Sequence, residues 1–248
     1  MKLEQVQTVV GKTPHMSIEQ ARKMSQFIRD HKIKDILELG FRYGVSTCYM
    51  AATLQELGGG HITTIDLELA RNQSPNIEEF LKKCQLSSYV DIFFEPTSYN
   101  WRLMKLLEED PTPRFDFCYL DGAHDWFVDG FAFFLVDKLL RPGGWIIFDD
   151  LDWTYGQSPA LRNSPKVKNM PMDEQTTPQV RRVYDLLAKT HPNYGDFSTD
   201  ADGEWAFARK LTSSSSNGER VIVREVVRQE VGLGAALLRA YRKLSNPA

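Results

Sequence analysis

The chain has 248 residues, 42% of them hydrophobic and 25% charged, with a formal net charge of −3. That composition suits one large globular domain with a sizeable core. It excludes a bulk electrostatic pull toward nucleic acid or an anionic membrane surface, and no apolar run approaches the ~20 residues of a membrane span.

The opening "MKLEQVQTVVGKTP" has no apolar stretch of the signal-peptide kind, so the protein is read as cytoplasmic. "SIEQARKMSQFIRDH" has helical spacing, with Ser17 as N-cap and Gln20 as its capping-box partner. Strand and helix patterns then alternate. "DILELG" reads as a strand, "GVSTCYMAATLQEL" as a helix, "HITTID" as a strand and "PNIEEFLKKCQL" as a helix with Pro75 near its first turn. "VDIFF" is a strand, "SYNWRLMKLLEED" a helix, "FDFCYLD" a strand, "HDWFVDGFAFFLVDKLL" a helix and "GGWIIFDD" a strand, preceded by a turn at Arg141–Gly144. Near-continuous apolar strands in β-α alternation predict an α/β fold, a Rossmann-like, doubly wound and mostly parallel sheet.

After Asp150 the regularity stops. Residues 151–179 are rich in Pro, Asn, Ser and Gln and read as a lid-like or binding loop. "VRRVYDLLAKTH" is helical again, and "YGDFSTDADGEWAFARK" reads as two strands around the turn at residues 200–203. These strands bring the expected sheet to seven, the last one antiparallel. A single domain is expected over residues 1–212, then a polar linker and an amphipathic helix in residues 213–248, a possible homodimer contact. Cys48, Cys84 and Cys118 have no metal-ligand spacing and read as reduced thiols, with Cys48 and Cys118 as core fillers.

The chemistry gathers at strand ends. In "ILELGFRYGVST" a strand ends at Leu39, Gly40 opens a turn and Gly44 precedes a helix. Glycine there allows positive φ or close approach of a ligand, and the helix N-terminus offers free N–H groups. Asp66, at the end of the next strand, stands where an acidic residue takes a ribose diol in a doubly wound fold. The absence of G-x-G-x-x-G counts against a nicotinamide-dependent reductase.

Asp121 ends the fourth strand, and Asp149 and Asp150 the fifth, so three carboxylates converge on one crevice. Crowded and dehydrated, they would repel, and a divalent cation such as Mg²⁺ is the simple remedy. It could hold two adjacent substrate oxygens, with His124 as general base. The plainer alternatives are that Asp149 and Asp150 cap a loop and that His124 merely begins a helix. Asp125 and Asp129 read as a solvated face, though Asp125 could orient the imidazole. Trp126 reads as packing. Trp153 and Tyr155 either stack on a substrate or anchor the loop.

"LELGFRYGVST" with "TTIDLE" resembles motifs I and II of class I S-adenosylmethionine-dependent methyltransferases. "YLDGAHDW" with "LLRPGGWIIFDD" is similar to the cation-dependent O-methyltransferases of the macrocin and mycinamicin type. The resemblance implies that Gly40 and Gly44 approach the methionine part of the cofactor, with Glu38 fixing the loop from beneath. Tyr43, Ser46 and Asp121 are further candidate cofactor contacts, Asp66 binds the ribose, and Ser98 borders the adenine or simply caps its helix. It implies Asp121, Asp149 and Asp150 as metal ligands, His124 as base and a small-molecule acceptor with vicinal oxygens, such as a sugar or a catechol-like ring. A metal-independent methyltransferase and a non-catalytic cofactor-binding protein are the alternatives. No nucleic-acid target is expected, because "DGAH" stands where a target-base motif would follow the fourth strand.

Overall fold

The computed structural model describes residues 1–212. The tail read as a linker and dimerising helix lies outside them. Among the described residues, no helix is long and apolar enough to cross a membrane.

Five parallel strands form most of one sheet: β1 (Asp35–Leu39), β2 (His61–Leu67), β3 (Val90–Glu95), β4 (Phe115–Leu120) and β5 (Leu140–Phe148). With β6 (Tyr194–Thr199) and β7 (Ala206–Lys210) the sheet has seven strands, in the order β3-β2-β1-β4-β5-β7-β6. The last strand, β7, inserts antiparallel to both β5 and β6. The expected Rossmann-like, doubly wound sheet is therefore the observed one.

Alternation along the strands divides the core into two layers. Ile36, Phe117 and Ile147 pack on one face with α1 (Leu3–Val10), α2 (Ile18–Asp30), α3 (Val45–Glu56) and α4 (Ile77–Cys84). Leu37, Cys118 and Phe148 pack on the other with α5 (Tyr99–Glu109) and α6 (Trp126–Leu139). Strand order reverses between β1 and β4. The crevice at that switch point opens at the strands' carboxyl ends.

Several elements depart from the sequence reading. Helix α1 was not foreseen; its eight residues bury only Val6 and Val10 and offer too short a periodic signal. Pro75 lies outside α4, because Asn76 is the N-cap and accepts the Glu79 N–H. Arg141–Gly144 do not precede the fifth strand but form an irregularity inside it: Phe115 pairs with Leu140 and Phe117 with Trp145, so the intervening residues bulge out. Gly143 supplies the required positive φ of 86°. Residues 151–179 contain two short helices, α7 (Pro165–Lys168) and α8 (Met172–Thr176), and bury Tyr155 and Val167. The segment read as a helix from Val180 begins as α9 (Gln179–Val183) and continues as a π-helical turn over Tyr184–Ala188.

Candidate active site

Glu38 is fully buried on β1, beside Thr64 of β2 and Tyr119 of β4 in the strand register. Three hydroxyls donate to its carboxylate: Ser46 at 2.5 Å, Thr47 at 2.5 Å and Thr64 at 2.6 Å. Burial raises its pKa to about 7, with the Asp66 charge adding, although the hydroxyls work in the opposite direction. Glu38 thus ties the first turn of α3 to β1 and β2, beneath the Gly40–Gly44 loop.

The glycines of that loop answer first to protein packing. Gly40 has φ 90°, and a Cβ on it would lie 2.0 Å from the Asp121 carbonyl oxygen. Gly44 has φ 85°, and a Cβ would lie 2.4 Å from the Ile77 side chain. Asp66 closes the same loop: its Oδ2 accepts the Phe41 N–H at 2.9 Å and the Arg42 N–H at 2.6 Å.

A cleft of about 590 Å³ runs along this loop. Gly40, Ser46, Asp66 and Asp121 line it, joined by Arg42, His124 and Asp150. Glu38, Tyr43, Gly44 and Ser98 stand outside its wall. Glu38 and Gly44 support the loop from behind, Tyr43 stacks on His15 with ring centroids 5.7 Å apart, and Ser98 caps α5 by accepting the Asn100 N–H. Trp153 and Leu161 extend the wall from the 151–179 segment. The Trp153 ring lies 5.0 Å from that of His124. Tyr155 faces inward as an anchor, its hydroxyl 3.1 Å from the Ala123 carbonyl and 3.0 Å from Lys166 Nζ.

At the mouth of the crevice, Asp121, His124 and Asp150 each place a ligand-type atom within 4.8 Å of the others. His124 Nε2 lies 3.1 Å from Asp150 Oδ2. Asp149 is set back: it is 7% exposed and its Oδ2 accepts the Tyr119 hydroxyl at 2.6 Å. Burial pushes the Asp121 carboxyl well above the usual carboxylate range, and the charges of Asp149, Asp150 and Glu38 push it further. Burial and Asp150 bring Asp149 to about 6. For His124, burial acts downward but is outweighed by the hydrogen bond and charge of Asp150, with Asp129 and Asp149 adding, so its pKa is raised.

The donor set of carboxylate oxygens and one imidazole nitrogen is of the kind that divalent cations take. No Lys or Arg pairs with Asp121, Asp149 or Asp150 among the described residues. The crowding that raises both buried carboxyls is what a bound cation would relieve.

Residues 37–151 match the family described as methyltransferase domain. The match spans just under half of the chain and marks a similarity to that family. The methyltransferase fold as a whole is shared with solved structures. TomG of Streptomyces achromogenes, an O-methyltransferase involved in tomaymycin synthesis and solved with S-adenosylmethionine, is 19% identical with a TM-score of 0.59, over 85% of this chain and 89% of that one. An O-methyltransferase of Bacillus cereus with S-adenosylhomocysteine is 21% identical, TM-score 0.59, over 85% and 90%. The S-adenosylhomocysteine-bound methyltransferase PaMTH1 of Podospora anserina is 17% identical, TM-score 0.59, over 85% and 87%. No curated protein matches the sequence.

The structure also corrects the reading of α6. Asp129 is not on a solvated face. It is fully buried, hydrogen-bonded to the Tyr99 hydroxyl and accepting the Asp125 N–H at 2.9 Å. Asp125 does not orient the imidazole; it caps α6 by accepting the Phe127 and Val128 N–H groups. His124 precedes the helix in a left-handed conformation, φ 52°. Sequence reasoning passed over His15, Arg42 and Tyr119. The one available signal was for Tyr119, a hydroxyl in the apolar second half of its strand, beside the acidic ends.

Proposed function

We propose that the chain is an S-adenosylmethionine-dependent O-methyltransferase acting on a small-molecule hydroxyl with an adjacent oxygen, assisted by a divalent cation such as Mg²⁺. The observation that carries the reading is the meeting of Asp121, His124 and Asp150 at the end of the cleft that follows the glycine loop.

Bound in that cleft, the cofactor would supply a methyl group already activated on a sulfonium. Loop N–H groups and Ser46 would hold its amino-acid end. Asp66 would reach the ribose through the remaining acceptor capacity of Oδ1, which takes one N–H, from Leu67, whereas Oδ2 serves two loop N–H groups. A cation at Asp121 and Asp150, with Asp149 contributing its Oδ1, would supply the charge that makes an acceptor hydroxyl more acidic. His124 would take the proton as general base, and Asp150, 3.1 Å from its Nε2, would stabilise the imidazolium so formed. Residues 151–179 would cover the acceptor and exclude water, with Trp153 against the reacting face and Tyr155 fixing the segment. Orientation in such a site contributes several kcal/mol, roughly 7–11 in well-aligned systems.

Calorimetric titration of the native chain and of Asp121→Ala, with S-adenosylhomocysteine and with Mg²⁺, tests this. Cofactor binding in both, with Mg²⁺ binding lost in the variant, supports the reading. Cofactor binding with no metal response, and turnover indifferent to EDTA, would move it to a metal-independent methyltransferase. Cofactor binding with no turnover on any acceptor would leave a binding protein.

A further inference from the structure

A second cleft, of about 530 Å³, opens on the other side of the acidic group. Its outer wall is the N-terminal segment from Gly11 to Gln20, and its floor is Asp121, Asp149 and Asp150. It shares three residues with the glycine-loop cleft: Asp121, Asp150 and His15. Methyl transfer is in-line, so donor and acceptor must meet where their clefts meet. Two of the shared residues are the carboxylates already assigned. The third had no role.

His15 is held there at a cost. Its φ of 92° is a backbone conformation that a non-glycine residue rarely adopts. Arg42, His124 and Asp150, which line the same glycine-loop cleft, also have positive φ, while the remaining non-glycine examples, Lys32, Gln85 and Asp196, lie elsewhere. Stacking on Tyr43 supports the His15 ring. Its imidazole nitrogens have no hydrogen-bond partner among the described residues, which leaves them for a ligand.

We propose that the acceptor lies in the N-terminal cleft and that His15 is an acceptor-binding residue, hydrogen-bonding a hydroxyl next to the one methylated. The wall names the class. Lys12, Thr13, Ser17 and Glu19 are polar, and of the apolar lining Val10, Met16 and Tyr49 are buried, which leaves Pro14 and Ile18. Such a mainly polar wall suits several hydroxyls better than a flat apolar ring, so the acceptor is sugar-like rather than catechol-like. This inference rests on the methyltransferase reading above and narrows its acceptor.

The test uses the full chain with S-adenosylhomocysteine and Mg²⁺, and follows binding of methyl α-glucopyranoside, methyl α-rhamnopyranoside and catechol by saturation-transfer NMR. Cofactor affinity is measured in parallel by calorimetry. A sugar is expected to bind in preference to catechol. His15→Ala should weaken it about tenfold, the loss expected of one hydrogen bond. His15→Asn, which tolerates positive φ and keeps a polar group, should restore part of it, and Thr13→Trp should abolish it. Thr13→Trp, outside the glycine-loop cleft, should leave cofactor affinity unchanged, and the His15 variants should change it far less than they change sugar binding. In turnover with the bound sugar, His15→Ala should raise KM more than it lowers kcat. Catechol preferred, no sugar bound, or sugar binding indifferent to both His15→Ala and Thr13→Trp would overturn the proposal while leaving the methyltransferase reading intact. Failure of the native chain to bind S-adenosylhomocysteine would overturn both.

Discussion

His124 and Asp150 face each other at 3.1 Å from two different strand ends, and both do so in left-handed backbone conformations, at φ 52° and 54°. Neither is glycine, so the surrounding fold sustains two unfavourable conformations to make one contact. Replacing Asp150 with Asn keeps the shape and tolerates the φ but removes the charge. Burial then acts on His124 with less opposition, and its pKa should drop below the native value. NMR titration of the imidazole reads this directly; an unmoved titration would mean that Asp150 does not raise it. The sign for stability follows. The native pair stabilises the fold below the unfolded histidine value of about 6.5, and that contribution fades as pH climbs through the raised folded value.

Glu38 gives the opposite pH signature to an ordinary surface carboxylate. Its folded pKa of about 7 lies above the unfolded one, so the folded state binds the extra proton between about 4.5 and 7. Stability should therefore fall as pH rises across that window, by up to a few kcal/mol. Glu38→Gln, which can still bond Ser46, Thr47 and Thr64, should flatten the slope. Urea denaturation of both proteins at pH 4 and pH 8, either side of the window, checks it, and an equally steep slope in the variant would place the titration elsewhere.

Gly40→Ala should cost about 3 kcal/mol or more, because its Cβ would meet the Asp121 carbonyl at 2.0 Å in a positive-φ position. Gly58→Ala is the control, with φ 83° and open space around it, and should cost only the backbone term of about 1 kcal/mol. Thermal melts of the two variants should separate clearly. Equal melting points would show that the loop gives way at no cost.

Tyr155→Phe removes a hydroxyl that bonds the Ala123 carbonyl and Lys166. The loss should be modest, about 1 kcal/mol, and local. Limited proteolysis should cut faster within residues 151–179, while the melting temperature moves by a few degrees at most. A uniform rise in cleavage along the chain would show global destabilisation instead.

The mostly parallel sheet and the strand-end positions of Gly40, Asp66, Asp121 and Asp150 were legible because buried parallel strands are written as continuous apolar runs and their ends as abrupt polar residues, whereas the strand order is a tertiary property that such runs do not carry. Asp129 was misread for a related reason: a charge on an amphipathic helix normally faces water, and nothing nearby in sequence announces Tyr99 as its buried partner. Glu38 was placed correctly beneath the loop, but its donors come from a helix turn and a neighbouring strand, and only the register aligns Thr64 with it. His15 was invisible, because it belongs to a short segment with no periodicity and reaches the crevice through tertiary packing alone.

Because Gly40 leaves room for the Asp121 carbonyl and nothing else, the wall between the two positions has no thickness to spare. The Asp121 N–H also bonds the Leu39 carbonyl at 2.9 Å, so the two strand ends are stitched on both sides of that wall. Homologous chains should accordingly inherit positions 40 and 121 as one unit. A side chain arriving at 40 without a shift of the fourth strand end should be selected against, and a lineage that abandons the acidic residue should be the first in which glycine is released.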